Sequence, residues 1–399
     1  MPKKKYLLVF GTRPEAIKMA PVLHALERQP QAEAVVCVTG QHLELLDSVL
    51  SLFKIQPQYN LRVMSHDQQL CGLTARLLCE LEKVYLQERP DWVLVQGDTH
   101  TAMAASMAAC YMKIPVAHIE AGLRSHNKLE PFPEEVNRKV IDVMADLHFA
   151  PTELDKQELM REGYQGKTIH VTGNTCVDAL QFMAASPFSV EGSVLQRLPL
   201  SSKRIILVTV HRRENHGEPL KDICKAVRIV AARYRDSAHL VLPVHPNPNV
   251  GATVRSYLEG IENITLTPAL GYRELIALAQ VCYFAMIDSG GLQEELPCLG
   301  KPALVLRNVT ERRGATLAGA NRLVGSDTAA IVSAFSELMD APIVYHRMAK
   351  HRNLFGDGLA GERIANILQS YGSIERDDEL PVNADRAPVA EQSPIQSAA

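Results

Sequence analysis

A chain of 399 residues is long enough for two domains. With 46% hydrophobic and 22% charged residues it reads as a soluble globular protein, and a formal charge of -3 with 5% aromatics speaks against a nucleic-acid binder, which needs a basic face and stacking platforms. Eight cysteines without a CxxC spacing predict buried, reduced thiols, no run of about 18 uncharged apolar residues is present to span a membrane, and the apolar run after Lys5 is too short for a signal peptide, so a cytoplasmic protein is expected.

In chain order, apolar runs alternate with helical periodicities. Residues 6–10 predict a buried strand, and 14–28 a helix with Ile17, Met19, Ala20, Leu23 and Leu26 on one face. A strand at 34–38 and a helix at 41–53 follow, then strands at 92–96, 116–119, 147–150 and 169–171. The rhythm pauses at 186–203, where Pro187, Gly192, Pro199 and several serines mark a connection. It resumes with strands at 205–210, 239–244, 264–267, 283–287 and 303–306. This is the βαβ alternation of parallel sheets, so the fold class is α/β, with two Rossmann-like domains facing a central cleft. The expected division is 1–185, 186–358, a C-terminal helix at 359–371 packing back on the first domain, and a disordered tail at 372–399.

Ligands of open parallel sheets bind outside the carboxyl ends of the strands, and the polar motifs fall at those ends. Gly11-Thr-Arg-Pro-Glu15 opens the first helix, where Arg13 and free N–H groups suit an anion; an ordinary turn with a surface arginine is the alternative. Gln96-Gly-Asp-Thr-His100 puts Asp98 at a strand end, as an acid or base or merely a helix cap. Glu120 ends another strand, and Glu134 stands one turn before Arg138, a spacing that also fits a surface ion pair. Asp98, Glu120 and Glu134 would converge, and clustered carboxylates can divide acid and base roles between them. In the second half His211 and Arg212 suit a diphosphate leaving group, and His245 sits in the rigid loop Pro243-Val-His-Pro-Asn-Pro248. Asp288-Ser-Gly-Gly-Leu-Gln-Glu-Glu295 offers Ser289, the Gly290–Gly291 turn and Glu294 to a nucleotide diphosphate and ribose. There is no P-loop, HExxH or Cys/His cluster, and neither a metal nor NAD is expected.

Taken together, these motifs resemble the non-hydrolysing UDP-N-acetylglucosamine 2-epimerase family. The resemblance runs from about residue 6 to 371 and includes Gly97-Asp-Thr99, Glu120-Ala-Gly-Leu-Arg124, Pro131-Phe-Pro-Glu-Glu135, His211-Arg-Arg-Glu214 and Thr310-Glu-Arg312. It implies a GT-B-like pair of domains, no cofactor, no metal, a UDP-N-acetylhexosamine substrate and a homodimer, without nucleic-acid or membrane partners. It also implies catalytic roles for Asp98, Glu120, Glu134 and His211. UDP would be held by Arg13, Ser289, Gly290, Gly291, Glu294 and Arg312, with Arg138, Arg212 and His245 placed among the substrate-binding residues. The implied chemistry is loss of UDP from C1 and a proton from C2 to give a 2-acetamidoglucal, then re-addition with the C2 proton returned to the other face, supplying ManNAc-type sugars for cell-surface polysaccharide. A hydrolysing epimerase, an epimerase of a modified UDP-2-acetamido sugar and a GT-B glycosyltransferase are the alternatives. Where the family has Thr-Glu-Arg-Pro-Glu, this chain has Thr310-Glu-Arg-Arg-Gly314, and Gln41-His42 matches a stretch tied in some members to activation by a second substrate molecule.

Overall fold

The computed structural model describes residues 3–40, 43–63 and 69–371. Gln41, His42, most of the 65–69 segment and the expected tail lie outside them. Fourteen elements build the first half: β1 (Lys4–Phe10), α1 (Arg13–Glu27), β2 (Ala32–Val38), α2 (Leu43–Leu52), β3 (Tyr59–Asn60), α3 (Leu70–Glu88), β4 (Trp92–Gln96), α4 (His100–Tyr111), β5 (Val116–Ile119), α5 (Glu134–Met144), β6 (Leu147–Ala150), α6 (Glu153–Arg161), β7 (Ile169–Val171) and α7 (Thr175–Ala185). The second half contains β8 (Arg204–Thr209), α8 (Glu218–Arg233), β9 (Ala238–Pro243), α9 (Pro248–Leu258), β10 (Ile264–Thr267), α10 (Tyr272–Val281), β11 (Phe284–Ile287), α11 (Gly290–Cys298), β12 (Ala303–Val305), α12 (Arg313–Ala318), β13 (Asn321–Leu323), α13 (Thr328–Asp340), α14 (Pro342–Ala349) and α15 (Ala360–Ser370).

The first sheet runs β3-β2-β1-β4-β5-β6-β7 and the second β10-β9-β8-β11-β12-β13. Every pairing described is parallel. Both are doubly wound orders that reverse direction once, between β1 and β4 and between β8 and β11. Chain leaving those neighbouring strands goes to opposite faces, and a crevice opens at their carboxyl ends. The strands are near-continuous apolar runs because helices cover both faces: Tyr6, Leu8 and Phe10 pack on the α1 side, Leu7 and Val9 on the α3–α4 side.

A one-faced α1 was expected, yet Glu15, Ala16, Lys18, Val22 and Ala25 are buried too. The reason is α15, which returns across α1 and α7 and puts Ile364, Ala365 and Leu368 into the same core. Lys4 Nζ donates to the Gln369 carbonyl at 2.8 Å, fixing that return. The core also reaches Tyr272 and Ile276 of α10, so apolar packing joins the two halves beneath the cleft. Strands β3 and β13, of two and three residues, carry too few side chains to show a period and were not anticipated. The cysteine expectation needs correction: Cys37, Cys176, Cys224 and Cys282 are buried, but Cys71, Cys79 and Cys110 lie exposed on helices. No described helix is long and apolar enough to cross a membrane.

Candidate active site

The turn after β1 is fixed by a capping box. Thr12 N–H donates to Glu15 Oε2 at 2.8 Å, and the Thr12 side chain accepts in return from the Glu15 N–H. Glu15 Oε1 also accepts from the Thr99 hydroxyl at 2.6 Å, joining the β1 and β4 turns. Arg13 points away from this lock, toward the second domain, where Nη1 donates to the Leu270 carbonyl at 3.5 Å.

At the end of β4 the cap of α4 is Thr99, whose hydroxyl accepts from the Ala102 N–H at 3.0 Å. Asp98 is therefore free of capping work. Its carboxylate takes a charge-assisted bond from Arg138 Nη2. Burial alone would raise the Asp98 carboxyl, but Arg138, Arg312 and Arg212 outweigh it and hold the group below the usual carboxylate range. The spacing of Glu134 and Arg138 suggested a surface ion pair. Instead Arg138 is buried and bonds Asp98 and, at 2.6 Å, Glu135. Glu134, at the first turn of α5, is left with a buried Oε2 that has no partner. Asn137, one turn further on, donates to the Asp98 carbonyl at 2.9 Å, so this end of α5 faces the β4 turn.

Glu120 ends β5 with φ 69°, a left-handed conformation unusual for a non-glycine residue. Its oxygens accept from Lys18 Nζ, Gln96 Nε2 (2.9 Å), Asn174 Nδ2 (3.2 Å) and Arg312 Nη2 (3.2 Å). Burial acts to raise this carboxyl, and Lys18 and Arg312 overcome it and lower it. Glu294 in the second domain shares the same donors: Lys18 Nζ at 3.0 Å, Asn174 Nδ2 at 3.0 Å and Arg312 Nε at 3.3 Å. Two cations and two carboxylates thus form one buried, balanced set across the cleft.

In the second domain Asp288, fully buried, accepts the main-chain N–H groups of His211 and Arg212, each at 2.8 Å. Its other oxygen is 3.1 Å from His211 Nδ1. Against the effect of burial, His211 and these N–H groups bring the Asp288 carboxyl down to about 2. His211 is thereby oriented with its ring stacked on His245, centroids 5.8 Å apart and planes 14° from parallel. Beside His245 a cavity of about 480 Å³ opens at the ends of β9 and β10, lined in part by Asn247, Arg255 and Thr267. Arg212 Nε is buried without a partner. Ser289 is the N-cap of α11 and makes no side-chain capping bond, leaving its hydroxyl available. Gly290 lies close to two guanidinium groups: a Cβ there would be 3.0 Å from Arg312 Cζ and 3.2 Å from Arg212 Nη2. That close approach of backbone and guanidinium groups beside a helix N-terminus is an anion-binding arrangement.

The motif residues therefore come together, with two adjustments. Glu294 faces Lys18 and Arg312, whereas Glu295, not singled out from sequence, lies nearer Arg13: it accepts from the Tyr272 hydroxyl at 2.8 Å, and burial pushes its carboxyl up to about 7. Lys18 and Asn174 were also missed as site residues. A lysine flanked by Ile17, Met19 and Ala20 in an apolar helix was the available sign.

Two doubly wound parallel sheets facing each other, with acids at the strand ends of one and cations and a glycine turn at those of the other, define an α/β protein of GT-B-like architecture. The sequence profile of the family UDP-N-acetylglucosamine 2-epimerase matches residues 24–369, and the chain belongs to that family. The Campylobacter jejuni UDP-N-acetylglucosamine 2-epimerase is 45% identical over 373 residues, covering 92% of this chain and 97% of the relative. The crystal structure of the Neisseria meningitidis UDP-GlcNAc 2-epimerase bound to UDP-GlcNAc superposes with a TM-score of 0.87 at 42% identity, over 92% of this chain and all (100%) of that one. The S. aureus MnaA–UDP structure gives 0.87 at 44% identity over 92% and 96% of the two chains.

Proposed function

We propose that the protein is a non-hydrolysing UDP-N-acetylglucosamine 2-epimerase that interconverts UDP-GlcNAc and UDP-ManNAc in the cytoplasm, as a homodimer supplying ManNAc-type sugars for cell-surface polysaccharide. The observation that carries this reading is the pair of unsatisfied or singly held carboxylates, Asp98 and Glu134, opposite the cationic lip of Arg212 and Arg312. The lip stabilises charge on the departing diphosphate as the C1–O bond breaks. One carboxylate takes the C2 proton, which gives the 2-acetamidoglucal and UDP. Return of a proton to the other face of C2, with UDP re-bonding at C1, completes inversion; two carriers at different positions meet that need. Glu120, already accepting from four donors, is suited to holding Lys18 and Arg312 in place rather than to carrying a proton. His211, oriented by Asp288 at the edge of the lip, is assigned to the leaving diphosphate. Arg13, Glu295 and the Ser289–Gly291 turn are assigned to UDP, with Glu294 acting through Lys18 and Arg312. The exposed Tyr111 and Val143, near the ends of α4 and α5, support a face for the second subunit.

The test is NMR of UDP-GlcNAc with the protein in D2O. UDP-ManNAc carrying deuterium at C2 is expected. Free ManNAc with UDP would place the enzyme on the hydrolysing branch, and no exchange at C2 would overturn the substrate assignment.

A further inference from the structure

Beneath the Asp98 turn lies a histidine that touches no ligand-facing surface. His118, in the middle of β5, is completely buried. Its Nδ1 is 2.5 Å from Asp142 Oδ1 and its Nε2 is 2.8 Å from the Gly97 carbonyl oxygen. A carbonyl oxygen can only accept, so Nε2 donates to Gly97, while Nδ1 faces the Asp142 carboxylate. Asp142 of α5 is also bonded by Arg124 Nη2 at 2.6 Å, and Arg124 by Glu162 from the end of α6 at 2.5 Å. Lys139 pairs with the partly exposed Glu162 from the outer side at 3.5 Å, so the network runs from the buried ring out to solvent. His148 of β6 turns its Nε2 to the Asp142 carbonyl at 2.9 Å and packs its ring against Tyr164.

The peptide that His118 grips is the one joining Gly97 to Asp98. Gly97 has φ 73°, a left-handed conformation open to glycine, and it turns the chain so that its carbonyl points back under the sheet. The following carbonyl, that of Asp98, is held from the other side by Asn137. The backbone of the acid is thus clamped at both flanking carbonyls while Arg138 holds its carboxylate.

We infer that His118 is a positioning residue for the epimerase reaction, a buried ring whose Nε2 fixes the Gly97–Asp98 peptide and so aims the Asp98 carboxylate at the sugar. The inference rests on the proposed epimerase reading. It separates His118 from residues that merely fill the core, because only one of its two hydrogen bonds reaches Asp98.

The two bonds can be removed one at a time. A glutamine amide reaches as far as Nε2, and an asparagine amide only as far as Nδ1. His118→Gln therefore keeps the donor to Gly97 and loses the Asp142 contact, and His118→Asn does the reverse. Kinetics with UDP-GlcNAc are expected to show kcat lowered about tenfold or more in His118→Asn, with KM within about threefold of wild type, and the larger part of kcat retained in His118→Gln. In an Asp98→Asn background the same His118→Asn change is expected to cost less than about threefold, because its target is already disabled. Equal losses in the two single variants, or an undiminished loss in the Asp98→Asn background, would overturn the proposal. An inactive wild-type enzyme would instead remove the epimerase reading beneath it. Independently of whether the variants fold, 15N-histidine NMR of the wild-type protein should show a proton on His118 Nε2, and an Nε2 without a proton would refute the clamp.

Discussion

Replacing Lys18 by methionine removes one charge from the balanced set of Lys18, Arg312, Glu120 and Glu294. Methionine keeps most of the side-chain volume, so the cavity contribution is small. What changes is that two carboxylates, 7% exposed or less, are left to one guanidinium that Glu311 also shares. Taking one partner from a buried ion pair costs about 3–5 kcal/mol, and here Asn174 still donates to both carboxylates, which places the effect near the lower end. A loss of about 3 kcal/mol lowers the melting midpoint by about 6–12 °C for domains of this size. Urea unfolding of Lys18→Met followed by circular dichroism measures it. The decisive comparison is the double variant Lys18→Met/Glu120→Gln, which restores neutrality. It should recover at least half of the loss, because neutralising Glu120 removes the uncompensated charge. If the two substitutions simply add, or if Lys18→Met is as stable as wild type, charge balance is not what holds this side of the cleft.

Asp98→Asn and Glu134→Gln should each depress kcat by about 10²–10⁴ with little change in KM, read from C2 deuterium incorporation by NMR; a variant with full turnover is not a proton carrier. Glu295 titrates at about 7 in the folded protein against an ordinary value of 4.5, so the native state favours its neutral form, and this site lowers stability as pH rises from 4.5 through 7. Glu295→Gln should accordingly gain about 3 kcal/mol over wild type at pH 8 and nothing at pH 4, by urea titration; an equal gain at both pH values would exclude ionisation as the cause. Gly290→Ala pushes a methyl group toward Arg312 and Arg212, and calorimetry should find UDP binding weakened about tenfold while the melting midpoint hardly moves. Unchanged affinity would show that UDP does not sit against this turn.

The strands and the strand-end motifs were legible because parallel sheets write their buried strands as apolar runs and their ligands bind at one end. Asp98 was ambiguous from its neighbours alone, since aspartate and threonine both cap helices, and only the structure gives that work to Thr99. Arg138 was ambiguous for a similar reason: an i,i+4 spacing also fits a free helix surface, whereas α5 presents that side chain to the β4 turn. Glu294 and Glu295 stand side by side in sequence but face opposite ways on α11, one toward Lys18 and one toward Tyr272, and adjacency carries no sign of which faces a ligand. Lys18 and Asn174 needed the fold itself, because their partners Glu120 and Glu294 are brought to them by two separate sheets.

The return of α15 across α1 has a mechanical consequence. The chain passes from the first sheet to the second through 186–203 and comes back through 341–359, so two tethers join the halves. A rigid body attached at one point keeps three rotations, and one attached at two keeps a single rotation about the line between them. Two such crossings leave the halves fewer ways of moving as rigid bodies than one crossing would.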